Sequence, residues 1–181
     1  MHYSKTHFAK DGRSVLVRTA LSHDAAAITA ISNQCYRDSP FLSKGPEDPE
    51  DSVAGTLAYI EDLLDAEREA FLVAVTGDQI VGFAHLDGCG TKKKTKHRCE
   101  FALSIQQGFR GQGIGRCLVD SLISLAADAG YEQIELNVIE ANTPGVSLYQ
   151  SCGFQTSGRL PHAFKYPNGD YGDYLIMVKN L

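Results

Sequence analysis

Between Arg110 and Arg116 the chain reads Arg-Gly-Gln-Gly-Ile-Gly-Arg, a glycine spacing that lets backbone wrap an anion. Glycine allows close approach of the main chain to a ligand. The unpaired N–H groups of a first helical turn carry the positive end of the helix dipole, so the chemistry on offer is phosphate binding. The run lacks the Lys-Ser/Thr of a nucleoside-triphosphate loop, and Arg116 stands where the third glycine of a dinucleotide fingerprint would fall. What remains suits a pyrophosphate held by backbone alone. Glycines that merely let a helix pack tightly are the alternative, and Arg110 in front of them argues against it.

The elements around this run can position it. Phe101, Leu103 and Ile105 are apolar while Glu100, Ala102 and Ser104 are small or polar, the two-residue period of a strand. After the glycines, Ile114, Cys117, Leu118, Leu122, Leu125, Ala126 and Ala129 recur at helical spacing. Glu100 to Ala129 therefore reads as strand, glycine-rich turn and helix.

At these residues the chain resembles the GCN5-related N-acetyltransferase superfamily. Arg110, Gly113 and Gly115 fill that family's acetyl-coenzyme A signature, Gln/Arg-x-x-Gly-x-Gly/Ala, with Ile105 as the aliphatic residue five positions earlier. Asn142, Leu148, Tyr149, Cys152, Gly153 and Phe154 resemble its second motif, in the same order along the chain. The likeness extends over roughly residues 15 to 180. It implies acetyl-coenzyme A as co-substrate and an α/β fold: one domain with a mixed twisted sheet of about six to seven strands, flanking helices and a central splayed pair of parallel strands.

The whole chain agrees with one domain. Its 181 residues suffice for a core of their own. A net charge of −5 argues against nucleic acid or an anionic membrane as the main partner. No apolar run approaches a membrane span and no signal-peptide core is present, so a cytoplasmic protein is expected. The five cysteines form no C-x-x-C pair and read as reduced thiols, and the six histidines show no metal-ligand spacing, so no metal site is assigned.

In chain order, residues 1–14 read as a loose leader with at most a short ordered stretch, and residues 15–181 as the N-acetyltransferase domain. Val15 to Arg18 is a strand, and Ser22 is an N-cap candidate for a helix reaching Cys35 or Tyr36. A proline- and acid-rich loop leads to a second helix from about Pro49 or Glu50 to Glu67. Phe71 to Val75 and Ile80 to Asp87 form a hairpin. The basic segment from Lys92 to Arg98 is a solvated loop, with contact to an acidic partner as the other reading. Past Gly130 come a strand over Glu132–Ile139, a short helix over Asn142–Ser151, and a hairpin turning at Pro167–Asp170. The expected order is β α α β β β α β α β β.

The resemblance assigns residues as follows. Leu103, Ser104 and Ile105 would contact the pantetheine and acetyl group, and Arg110, Gly111, Gln112, Gly113, Ile114, Gly115 and Arg116 the pyrophosphate. Asn142 would hold the cofactor, and it is also a plausible helix N-cap. Tyr149 matches the tyrosine that protonates the departing thiolate; packing on the sheet is its other reading. A phenol near pKa 10 against a thiol near 8.5 is a mismatch of only about 2 kcal/mol. Glu100 is the candidate base, or else an ordinary strand-end acid. Relatives that acetylate protein N-termini often carry a glutamate on the next strand where this chain has Asn137, which weakens that acceptor class.

The implied activity is direct transfer of an acetyl group to a primary amine of a small molecule or peptide. A non-catalytic coenzyme A-binding sensor or interaction module is the alternative, and a dinucleotide oxidoreductase is disfavoured by Arg116. The segments flanking the acceptor carry too little pattern to name the amine, and a homodimer stays open.

Overall fold

The computed structural model describes residues Met1 to Leu181. Eight strands form one sheet in the order β1-β2-β3-β4-β5-β6-β8-β7, with four α-helices packed on it. They are β1 (Ser4–Phe8), β2 (Ser14–Thr19), α1 (Ala25–Asp38), α2 (Val53–Leu64), β3 (Ala70–Thr76), β4 (Gln79–Gly88), β5 (Arg98–Ile105), α3 (Ile114–Asp128), β6 (Gln133–Ile139), α4 (Thr143–Ser151), β7 (Gln155–Lys165) and β8 (Tyr171–Asn180). Every neighbouring pair is antiparallel except β5 with β6. That pair is parallel because a helix, α3, connects it.

The sheet exceeds the six to seven strands expected, and the leader supplies the eighth. Ser4–Phe8 is too polar and short to show a period, yet it pairs antiparallel with β2 as an edge strand. Two other expectations shift. Ser22 does not cap α1; Ser22–Asp24 form a single 3-10 turn and the Ser22 hydroxyl meets Glu61. The second helix starts at Val53, because the Ser52 hydroxyl accepts the Gly55 N–H and Asp51 is held by Ser32, Asn33 and Lys44. Those bonds keep residues 49–51 out of the helix.

Alternation along the strands divides the core by sheet face. Phe101 packs with Leu118, Leu122 and Phe154 under α3, while Phe71, Val73 and Phe83 pack with Ile28, Ile31 and Ile60 under α1 and α2. All five cysteines are free thiols. No helix is long and apolar enough to cross a membrane.

Asp24 joins β2 to α1. Its side chain is 3% exposed, accepts two hydrogen bonds from Arg18 (2.6 and 2.9 Å) and one from the Leu21 N–H (2.8 Å). Burial works to raise this carboxyl, and those hydrogen bonds more than offset it, leaving it below the usual carboxylate range. A depressed folded-state pKa stabilises the fold above the unfolded value, and the contribution is lost as pH falls through the folded one. Asp24→Asn is therefore expected to lose roughly 3 kcal/mol at neutral pH, because Arg18 is left half-buried and unpaired. Thermal melting would show a midpoint lower by about 6–12 °C and a shallower loss of stability below about pH 4 than in the parent.

Candidate active site

The parallel pair β5 and β6 touches only at its start. Arg98, Cys99 and Glu100 pair with Gln133, Ile134 and Glu135, and beyond them the strands part, leaving Phe101–Ile105 unpaired on that side. A cavity of about 840 Å³ lies at the resulting gap, lined by the end of β5, the glycine turn, α4 and the loop after α1. Leu103, Ser104, Ile105, Arg110, Gly111, Gly113, Gly115, Arg116, Asn142 and Tyr149 all line it.

At the mouth of the gap, Gly113 is the N-cap of α3 with φ +96°, a left-handed conformation that favours glycine. The N–H groups from Gly111 through Arg116 find no acceptor within the protein, so they form a concave set of donors at a helix start. Gly115 is tight for another reason: a Cβ there would lie 3.0 Å from Leu148 Cδ2 and 3.2 Å from Ile105 Cδ1. Arg110 donates to the Ile105 carbonyl (2.9 Å), and Arg116, steadied by Asp120 on its own helix, ties α3 to α4 by donating to the Ser151 carbonyl.

Two residues of the expected set turn their side chains away. Ile114 is 2% exposed in the core, and the Gln112 amide donates to the Gly108 carbonyl (2.8 Å) without lining the cavity. They can contribute only backbone. The leader contributes a residue that no sequence pattern marks. Lys10, in the β1–β2 turn, lines the cavity, and its N–H donates to the Gln112 carbonyl (3.0 Å), buttressing the glycine turn.

Inside the gap, Tyr149 packs edge-on against Phe101 and Phe154, with ring centroids 5.7 and 6.2 Å away. Its hydroxyl has no hydrogen-bond partner in the protein, and burial pushes it up to about 12. Asn142 caps α4 by accepting the Gly145 N–H (3.2 Å) and also lines the cavity, so both of its expected roles are compatible.

Glu100 stands apart from that lining, at the closed end of the gap. It is exposed and carries no ion pair, between Asp87 of β4 and Glu135 of β6 in register. Both neighbours are engaged, Asp87 by His85 and Tyr59 and Glu135 by Arg98. Glu100 is the free carboxylate of the three. Asp173 of the last hairpin is committed to structure, bonding the His162 N–H (2.9 Å) and Arg159 (2.7 Å).

A family model described as the Acetyltransferase (GNAT) family matches residues 26–154. The chain belongs to the GNAT family. Among curated relatives, it is 37% identical over 90 residues to N-acetyltransferase family 8 member 2 of Rattus norvegicus, covering 49% of this chain and 40% of that protein. It therefore spans less than half the length of that relative. A longer match, 29% identical over 169 residues, covers 91% of this chain and 82% of the phosphinothricin N-acetyltransferase of Alcaligenes faecalis. Among solved structures, the GNAT superfamily phosphinothricin acetyltransferase of Sinorhizobium meliloti in complex with acetyl-CoA superposes with a TM-score of 0.83 at 18% identity, covering 92% of this chain and 88% of that one. At that identity the likeness concerns the fold, and the GNAT sheet with its parted parallel pair is the architecture described above.

Proposed function

We propose that this GNAT chain transfers an acetyl group from acetyl-CoA to a primary amine by direct attack, without a covalent enzyme intermediate. The observation that carries the reading is the parted β5–β6 pair, with partnerless N–H groups at its mouth, Tyr149 lining the cavity at the gap and Glu100 at its closed end. At roughly 3.3 Å per residue, β5 from Ile105 to Glu100 spans about 17 Å. That is ample for an extended pantetheine arm laid along the strand edge.

Acetyl-CoA supplies an activated thioester, so the chain's own residues have three tasks. The N–H groups from Gly111 to Arg116 bind the pyrophosphate, with Arg110, Lys10 and Asn142 around it. Leu103, Ser104 and Ile105 border the pantetheine and acetyl group, and a free N–H on the β5 edge stabilises the oxygen on which charge develops. Tyr149 donates toward the departing sulfur, and Glu100 accepts a proton from the amine. The phosphinothricin relatives support a small amine-bearing acceptor.

The test is thiol release from acetyl-CoA across amino acids, phosphinothricin, polyamines, aminoglycosides and short peptides, with acetyl-CoA affinity measured by calorimetry. Turnover on one class with micromolar-range binding is the expected result. Binding without turnover on any amine would favour a coenzyme A-binding module, and absence of binding would overturn the reading altogether.

A further inference from the structure

On the face of β4 that packs under α1 and α2, three polar side chains close on one another, and the acetyl-transfer assignment above uses none of them. His85 Nδ1 lies 2.5 Å from Asp87 Oδ2, and the Tyr59 hydroxyl donates to Asp87 Oδ1 (2.7 Å) while standing 3.3 Å from the same His85 nitrogen. The single Tyr59 proton is committed to Asp87, so the short His85–Asp87 contact takes Nδ1–H as its donor. Nε2 is then left as a lone-pair acceptor, with no partner in the protein. Phe71 and Tyr59 hold the ring at centroid distances of 5.9 and 5.8 Å, the Tyr59 ring edge-on.

The location matters as much as the geometry. His85 faces Ala102 across the β4–β5 ladder, one residue from Leu103, and the Ala102 methyl is too small to cover the imidazole. His85 lines a cavity of about 450 Å³ with Ser32, Tyr36, Asp51, Tyr59 and Phe83, a volume suited to a small-molecule amine. The charged and titratable groups around it are Asp87 on its own strand, Tyr59 on α2, Glu100 on β5, and Glu50, Asp51 and Tyr36 across the cavity.

We propose that His85 is a catalytic base of the acetyl transfer, with Asp87 and Tyr59 as positioning residues that aim its Nε2 at an acceptor amine in this cavity. The inference rests on the acetyl-transfer reading above. The proton balance calls for it. An acceptor arriving as ammonium sheds two protons from nitrogen: one before its lone pair can attack, and one as the N–C bond forms and the C–S bond breaks. The electron pair of the broken bond goes to sulfur with the proton Tyr149 donates; one proton in total is released. His85 Nε2 takes the first and passes it to water, and Glu100 takes the second, which returns through solvent to the Tyr149 oxygen.

The test combines a readout that needs no turnover with kinetics. Nitrogen NMR of the ring in the full chain should show the neutral tautomer protonated at Nδ1; the opposite tautomer would overturn the proposal. With the amine that the panel identifies, His85→Gln should lower kcat about 100-fold with acetyl-CoA affinity unchanged, and the acid limb of the kcat–pH profile should move to higher pH, where it follows the ionisation of the bound amine itself. Asp87→Asn and Tyr59→Phe should shift that limb and lower kcat less. His85→Ala should regain activity with added imidazole, which a structural role would not allow. If His85→Gln keeps both the limb and a kcat within about threefold, His85 is not the base. A parent protein that binds acetyl-CoA yet turns over no amine would instead overturn the transfer reading, and this inference with it.

Discussion

Tyr149→Phe is expected to lower kcat for acetyl transfer at least about 100-fold while acetyl-CoA affinity stays within about twofold. The ring's contacts with Phe101 and Phe154 are edge-on packing that phenylalanine reproduces, so only the hydroxyl is lost. That hydroxyl has no partner in the protein, and Tyr149 lines the cavity. Its pKa of about 12, caused by burial, keeps it protonated across the neutral range, so it is always in the donating form. The same shift changes the energetics. Against a thiol near 8.5 the gap is about 3.5 units, or about 5 kcal/mol, rather than the 2 kcal/mol suggested by an ordinary phenol. Proton transfer from such a phenol is uphill even to the released thiolate, so Tyr149 would act chiefly by hydrogen-bonding the sulfur as its charge builds, with transfer late. Activity should accordingly show no loss assignable to Tyr149 until pH nears 12. A Phe variant with parental kcat would mean that the sulfur's proton comes from elsewhere.

Gly113→Val should raise the acetyl-CoA dissociation constant at least about 100-fold, equivalent to about 2.8 kcal/mol. At φ +96° a β-branched residue is strained by roughly 1–3 kcal/mol, and relief by moving to negative φ would rotate the N–H groups of the turn out of their common direction. The thermal midpoint should fall by several degrees from the same strain. Gln112→Ala provides the contrast. Its side chain points away from the cavity, so binding should stay within about threefold. Calorimetry on the two variants decides the matter: retained affinity in Gly113→Val would show that the turn does not hold the anion.

The strand–turn–helix unit was legible because three signals coincide within thirty residues: the two-residue period of Phe101, Leu103 and Ile105, the glycines, and the helical period from Ile114 onward. Long, strongly periodic elements announce themselves in this way. β1 did not, because Ser-Lys-Thr-His-Phe has no alternation and its existence depends on pairing with β2, which no local signal reports. The glycine turn was legible as a unit, but not the turning away of Ile114 and Gln112, which core packing and one hydrogen bond to Gly108 decide. Lys10 was invisible for the same reason as β1. The Tyr59–His85–Asp87 cluster was invisible because its members lie on two elements and meet only when α2 packs on the sheet. His85 and Asp87 alone are two polar residues in a strand.

The parting of β5 from β6 divides the sheet into a five-stranded and a three-stranded half, joined by three register pairs and by α3. Backbone groups along the inner edge of β5 beyond Glu100 then depend on something other than β6 for partners. A bound pantetheine arm would serve as the missing strand, so the co-substrate would act as a folding ligand as well as a reactant. At a hundredfold excess over its dissociation constant, binding of this kind adds about 2.7 kcal/mol to stability. The protein's lifetime against unfolding and proteolysis would thus rise and fall with the supply of the molecule it consumes.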